Sequence, residues 1–225
     1  INLPESRSRN PQGAMMLGLT MRMTRKEYPG GVFELRDAIA CDWPRFLEQA
    51  LPDAPYVFLP NSGKAIIPYA ENLGIDALLL TGGDDWGVFP QRDETEKALF
   101  SWARENDFPV FGVCRGAQII NKLLGGKSHT CQGHVATRHE VELRGNGLPK
   151  TAIVNSFHNH CLAPDELAQG LEFFAMADDG NVEGYWGEHG KICGIIWHPE
   201  REKQPSLLDL ALIRDFYGGK IHAPK

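Results

Sequence analysis

No apolar run in the 225-residue chain approaches the length of a membrane span, and the N-terminus lacks the basic-then-apolar layout of a secretory signal. A cytoplasmic protein is the expectation. Basic residues are short too: 23 Lys and Arg stand against 29 Asp and Glu, interspersed, so no stripe is available for nucleic acid and no polybasic anchor for a membrane. A small-molecule substrate is therefore the expected partner, with a homodimer as the assembly considered. Cysteine is sparse: Cys41, Cys114, Cys131, Cys161 and Cys193 are odd in number and scattered, which argues against a disulfide framework and for reduced thiols. Internal repeats and low-complexity tracts are absent. The length suits one larger α/β domain.

Strands alternate with helices along the first half. Residues 1–14 are polar, carry Pro4, Pro11 and Gly13, and read as disordered or vector-derived, leaving 15–225 for the domain. Met16 to Met21 reads as a strand, Arg22 to Val32 as a polar loop with the turn Tyr28-Pro-Gly-Gly31, and Phe33 to Ala50 as a helix. Strands over Tyr56–Pro60 and Ile75–Leu80 and helices over Lys64–Leu73 and Asp93–Asn106 continue the rhythm. This pattern predicts a mostly parallel, doubly wound sheet with helices on both faces and a ligand site at the carboxyl ends of its strands. Beyond Gly126, short strands with Gly-rich turns, Gly145-Asn-Gly147 the clearest, predict an antiparallel edge.

The chemistry concentrates in three stretches. Val110-Phe-Gly-Val-Cys-Arg-Gly-Ala-Gln118 reads as a buried strand, a sharp turn at Cys114 and a helix stopped by Gly125-Gly126. Glycines flanking the cysteine are what a nucleophile elbow needs, and a helix N-terminus favours the thiolate. Ile195-Ile-Trp-His-Pro-Glu200 ends a second strand in a histidine with a carboxylate two residues on, as a base oriented by an acid. Ala77-Leu-Leu-Leu-Thr-Gly-Gly83 brings a third strand to a turn able to aim a backbone N–H at an oxyanion. Each alone has a plainer reading: a packed cysteine, a core histidine, a turn.

In the order Gly-Gly, Gly-x-Cys-x-Gly-x-Gln, His-x-Glu, the chain resembles the class I glutamine amidotransferase superfamily, of flavodoxin-like fold, from about Met16 to Tyr217. Arg92-Asp93, Glu96 and Val154-Asn-Ser-Phe-His158 resemble the γ-glutamyl-γ-aminobutyrate hydrolase branch. Arg36-Asp37 and Asp42-Trp43 are similar to γ-glutamyl-CDP-amidate hydrolases of bacterial capsule synthesis. The resemblance implies Cys114 as nucleophile, His198 as acid and base, Glu200 as its orienter, and the N–H groups of Gly83 and Arg115 as the oxyanion hole. It places Gln118, Asn155, Ser156 and His158 at the glutamyl head. Asp84-Asp-Trp-Gly87 stands where the aminobutyrate branch usually has Asp-x-x-Pro, and Trp86 offers a stacking surface for a base; Arg115 is considered as a phosphate partner. No metal or organic cofactor is expected. His129, Cys131, His134, His139, His158, His160 and Cys161 match no strong zinc spacing, and His134 and His139 are considered for the leaving-group side. Two other readings remain: a glutaminase subunit feeding ammonia to a synthetase, and a non-catalytic or redox-sensing relative.

Overall fold

The computed structural model describes residues 15–145 and 147–220. The expected N-terminal segment 1–14 and Asn146 of the expected turn lie outside them. In chain order the elements are β1 (Leu17–Thr20), β2 (Arg22–Glu27), β3 (Phe33–Ala38), α1 (Asp42–Ala50), β4 (Tyr56–Leu59), α2 (Ile66–Asn72), β5 (Ala77–Leu80), α3 (Pro90–Glu105), β6 (Val110–Val113) and α4 (Arg115–Leu123). They continue with β7 (His129–Thr130), β8 (Val135–Leu143), β9 (Thr151–Phe157), β10 (His160–Cys161), β11 (Leu171–Ala177), β12 (Val182–Gly187), β13 (Ile192–Ile195) and α5 (Leu207–Tyr217).

Nine strands form one sheet in the order β4-β1-β5-β6-β13-β12-β11-β8-β9. The first five run parallel, in the flavodoxin-like order of doubly wound sheets, and the last four are antiparallel. The short parallel strands β1, β5, β6 and β13 are buried throughout, because helices cover both faces, and so they read as unbroken apolar runs. One core packs Trp43, Phe46 and Leu47 of α1 and Leu212, Ile213 and Phe216 of α5 on one face. On the other, Ile66 of α2, Leu99 and Ala103 of α3 and Ile120 of α4 close over Leu78, Leu80 and Val110.

The expected helix over Phe33–Ala50 is corrected. Only Asp42–Ala50 is helical; Phe33–Ala38 is a strand, and the expected loop from Arg22 is its partner, paired residue for residue from Arg22–Ala38 to Glu27–Phe33. The reason lies in the turn between them: Gly30 and Gly31 both take positive φ, at 81° and 76°, and reverse the chain sharply. Met23 is buried at the base of this ribbon, while its far end, Leu35 included, is exposed.

The reduced-thiol expectation is also corrected. Cys131 and Cys161, 30 residues apart in sequence, form a disulfide across the small β7/β10 ladder, which pairs His129 with Cys161. An odd count argues only that one thiol stays single; it cannot exclude a bridge between two strands whose pairing is non-local. Cys41, Cys114 and Cys193 are free.

Candidate active site

The site forms where β5, β6 and β13 end. Cys114 joins β6 to α4 with φ 52° and ψ −110°, a conformation L-residues avoid, so the backbone there is held under strain by its surroundings. Two glycines make that turn possible. A Cβ on Gly112 would lie 2.6 Å from the Ala117 nitrogen, and one on Gly116 would lie 2.0 Å from the Leu80 carbonyl oxygen. Any side chain at either place would push helix and strands apart. The amide of Cys114 donates to Ile195 O at 2.8 Å, which ties the elbow to β13.

His198 arrives three residues after β13 and is almost wholly buried, with its Nδ1 2.7 Å from Glu200 Oε1. Its backbone is clamped from both sides by Asn155, whose Oδ1 accepts from His198 N at 2.9 Å and whose Nδ2 donates to His198 O at 2.8 Å. Gly82 lies flat against the ring: a Cβ there would stand 2.6 Å from His198 Cε1. Burial alone would depress the imidazole's pKa, but the Cys114 thiolate, a hydrogen bond with it, and the Glu200 carboxylate raise it to about 9. The preceding Trp197 donates to Asp209 Oδ1 at 2.7 Å, anchoring this end of β13 to α5.

Beneath the Gly82-Gly83 turn lies a buried ionic network. Arg92 donates to Glu96 Oε1 at 2.9 Å and, through Nη2, to the carbonyls of Thr81 at 2.8 Å and Gly82 at 3.0 Å. Arg115 pairs with Glu96 and, at 2.6 Å, with Asp93, while Thr20 donates to Glu96 Oε1 at 3.0 Å. Both guanidiniums are buried, and each carboxylate oxygen of Glu96 serves a different arginine. The network therefore couples the Gly-Gly turn to the first turn of α4. It also corrects one expectation: the Arg115 side chain is committed inward and is unavailable to a substrate phosphate. In the sequence, Arg92, Asp93 and Glu96 stand out only as marks of resemblance. Their signal was present, as three charged residues on the apolar side of a helix.

The expected binding residues divide. Gln118, one turn into α4, donates to His160 O at 2.8 Å. Asn155 serves the His198 backbone, and Ser156 is fully buried with its hydroxyl donating to His134 O at 2.6 Å; neither side chain is turned to an open face. His158 is buried against Glu183, with Nδ1 3.0 Å from His160 O. Trp86 is 38 % exposed, with Lys122 Nζ 5.8 Å over its ring, and lines a groove of about 810 Å³ along α3 with Lys64, Lys97 and Ser101. Neither Cys114 nor His198 lines this groove. Arg36 is exposed and paired with Glu34 and Tyr28, Asp37 accepts from Asn61, and Trp43 is core. Glu183, the acid inside the otherwise uncharged strand β12, was missed; a lone carboxylate in a buried strand was the available signal.

A family model described as Peptidase C26 matches residues 39–200, most of the chain. The chain belongs to the Peptidase C26 family. Cys114, His198 and Glu200 all fall within the matched C26 region. A γ-glutamyl-CDP-amidate hydrolase of Campylobacter jejuni is 28 % identical over 209 residues, covering 90 % of this chain and 98 % of that protein. A γ-glutamyl-γ-aminobutyrate hydrolase of Escherichia coli O157:H7 is 28 % identical over 201 residues, covering 77 % of this chain and 74 % of that protein. The fold of a glutamine amidotransferase from Thermotoga maritima superposes with a TM-score of 0.62 at 13 % identity, covering 92 % of this chain and 93 % of that one. No helix among the described residues is long and apolar enough to cross a membrane.

Proposed function

We propose that the chain hydrolyses a γ-glutamyl amide through a thioester on Cys114. The observation that carries this reading is the strained Cys114 elbow beside His198, whose imidazole is held by Glu200 and whose backbone is held by Asn155. The thiolate attacks the γ-carbonyl carbon, and the oxyanion that forms is met by the N–H groups of Gly83 and Arg115. His198, as imidazolium, gives its proton to the amide nitrogen; the C–N bond breaks and the amine leaves. Water then attacks the thioester, His198 takes its proton, and the thiolate departs as glutamate is released.

For the leaving group the reading is a nucleotide-bearing amine of the γ-glutamyl-CDP-amidate kind. Support comes from the length over which the Campylobacter relative aligns and from Trp86, an indole beside an open groove on which a base can stack. Glutamate release from γ-glutamyl-CDP-amidate, γ-glutamyl-aminobutyrate and glutamine, measured with the purified chain alone, tests both levels. Hydrolysis of at least one, with kcat/KM highest for the nucleotide amide, is expected. A best rate on the aminobutyrate compound overturns the leaving-group reading; no glutamate from any of them overturns the hydrolase reading and favours a partner-dependent glutaminase.

The acid step sets a pH dependence. Because the His198 pKa is raised to about 9, the proton is held through neutrality and lost only as pH rises through that value. We expect kcat/KM to stay level between about pH 7 and 8 and to fall about tenfold per pH unit well above 9. Glu200→Gln removes the carboxylate charge and should move that alkaline limb down. A wild-type limb near the ordinary histidine value would refute the assignment.

A further inference from the structure

Away from Cys114, three imidazoles converge on one buried carboxylate. Glu183 of β12 is completely buried, and its Oε1 lies 3.3 Å from His134 Nδ1, 3.4 Å from His158 Nε2 and 3.5 Å from His139 Nε2. None of the three contacts has hydrogen-bond geometry, so these four polar atoms are buried without partners. Such groups are costly unless something satisfies them.

The outward nitrogens say what that something is. His134 Nε2 lies 2.8 Å from the Asp179 carboxylate, which Asn181 holds in place with bonds of 2.7 and 3.1 Å. His158 Nδ1 lies 3.0 Å from the His160 carbonyl oxygen. Carboxylates and carbonyls only accept, so a ring proton sits on each outward nitrogen, and in the neutral form of each ring the inward nitrogen carries a lone pair. Two lone pairs thus face a carboxylate oxygen. A metal takes the rings in this neutral form, with the ligating nitrogen deprotonated. A divalent cation satisfies all the ligand atoms with one species and, with Glu183 and Asp179, makes a neutral assembly. An imidazole that binds metal through one nitrogen and donates from the other to a carboxylate or carbonyl is the usual outer arrangement of protein metal sites.

We propose that His134, His139, His158 and Glu183 bind one Zn²⁺-like ion. Nitrogen and oxygen donors of this kind suit borderline divalent metals. The ligand atoms of His134, His139 and Glu183 lie within 4.8 Å of one another, and the ion draws the imidazole nitrogens inward. Four protein ligands in a buried place leave no open position, so the ion is structural and takes no part in the chemistry. It fastens the segment before β8 and the β9–β10 turn to β12. Gln118 reaches the same turn through its bond to His160 O, and β12 is bonded to the approach to His198 through Ile196 N and Glu183 O at 2.8 Å.

The test is metal content of the full chain, purified without chelator, dialysed, then titrated with Zn²⁺. About one equivalent should be retained, removable by a strong chelator with a fall in Tm and restored by added Zn²⁺. Four-coordinate visible absorption should follow substitution by Co²⁺. His139→Asn and Glu183→Gln should each lose the ion. Cys114→Ala should keep it, as should the double variant Cys131→Ser with Cys161→Ser. Failure of the wild-type chain to take up Zn²⁺ overturns the proposal without reference to any variant's folding. Loss of the ion in Cys114→Ala or in the cysteine pair overturns it too, because retention then depends on those cysteines and not on the imidazoles.

Discussion

Replacing Cys114 with alanine should remove γ-glutamyl amide hydrolysis almost entirely, by about 10⁴-fold or more in kcat, while the protein keeps its fold. The loss is large because the thiolate sulfur is the only protein atom that bonds to the substrate carbon in the proposed route. Neither His198 nor the oxyanion N–H groups can substitute for it. The fold survives for two reasons. Cys114 is only 6 % exposed and packs against the core, yet alanine deletes a single sulfur, a loss of about 1 kcal/mol by the reckoning for small core truncations. Alanine also meets the φ of 52° with the same Cβ that cysteine has, so the elbow carries no new strain. Serine is a poorer control, since its hydroxyl replaces sulfur beside an imidazole tuned to a thiolate. Glutamate release and a thermal melt on the same preparation decide it. A folded Cys114→Ala protein within tenfold of wild-type activity would refute the nucleophile.

The elbow is legible in the sequence because its requirements are local: glycines two residues either side of the cysteine, an apolar run before and a helix after. The same holds for His198 and Glu200, separated only by a stiffening proline. What is not legible depends on pairing at a distance. The β2–β3 ribbon hides in a stretch whose apolar spacing imitates a helix, and two consecutive positive-φ glycines decide otherwise. The Cys131–Cys161 bridge needs the β7/β10 ladder to exist first. Asn155 is expected at the glutamyl head, and only the fold turns its amide to both sides of the His198 backbone. Glu183 acquires its three imidazole neighbours from three separate strands or turns, so no spacing announces them.

Glu96→Ala should be the most damaging substitution outside the reacting groups, costing about 3–5 kcal/mol of stability, or roughly 6–10 °C in Tm for a chain of this size. The change strips two buried guanidiniums of a shared acceptor and leaves uncompensated charge under the Gly82-Gly83 turn. Arg92 would keep only carbonyl and hydroxyl partners, and Arg115 only Asp93. Loosening should reach the chemistry, because Arg92 fixes the carbonyls beside the oxyanion N–H and Arg115 opens the nucleophile helix. A fall in kcat larger than any rise in KM is therefore expected. Glu96→Gln keeps one acceptor and should lie between alanine and wild type. The pH dependence has a definite sign. Burial works to raise the Glu96 pKa, but the charges of Arg92 and Arg115, with their hydrogen bonds, outweigh it and hold the value below that of a free carboxyl. A depressed folded-state pKa contributes stability that is present above about pH 4.5 and lost as pH falls through the folded value. Wild type should thus lose stability on acidification more steeply than Glu96→Gln, which has no proton to take up there. Urea melts across the acid range measure that difference in slope. Parallel slopes, or a Glu96→Ala melt within about 2 °C of wild type, would show that the arginines do not depend on this carboxylate.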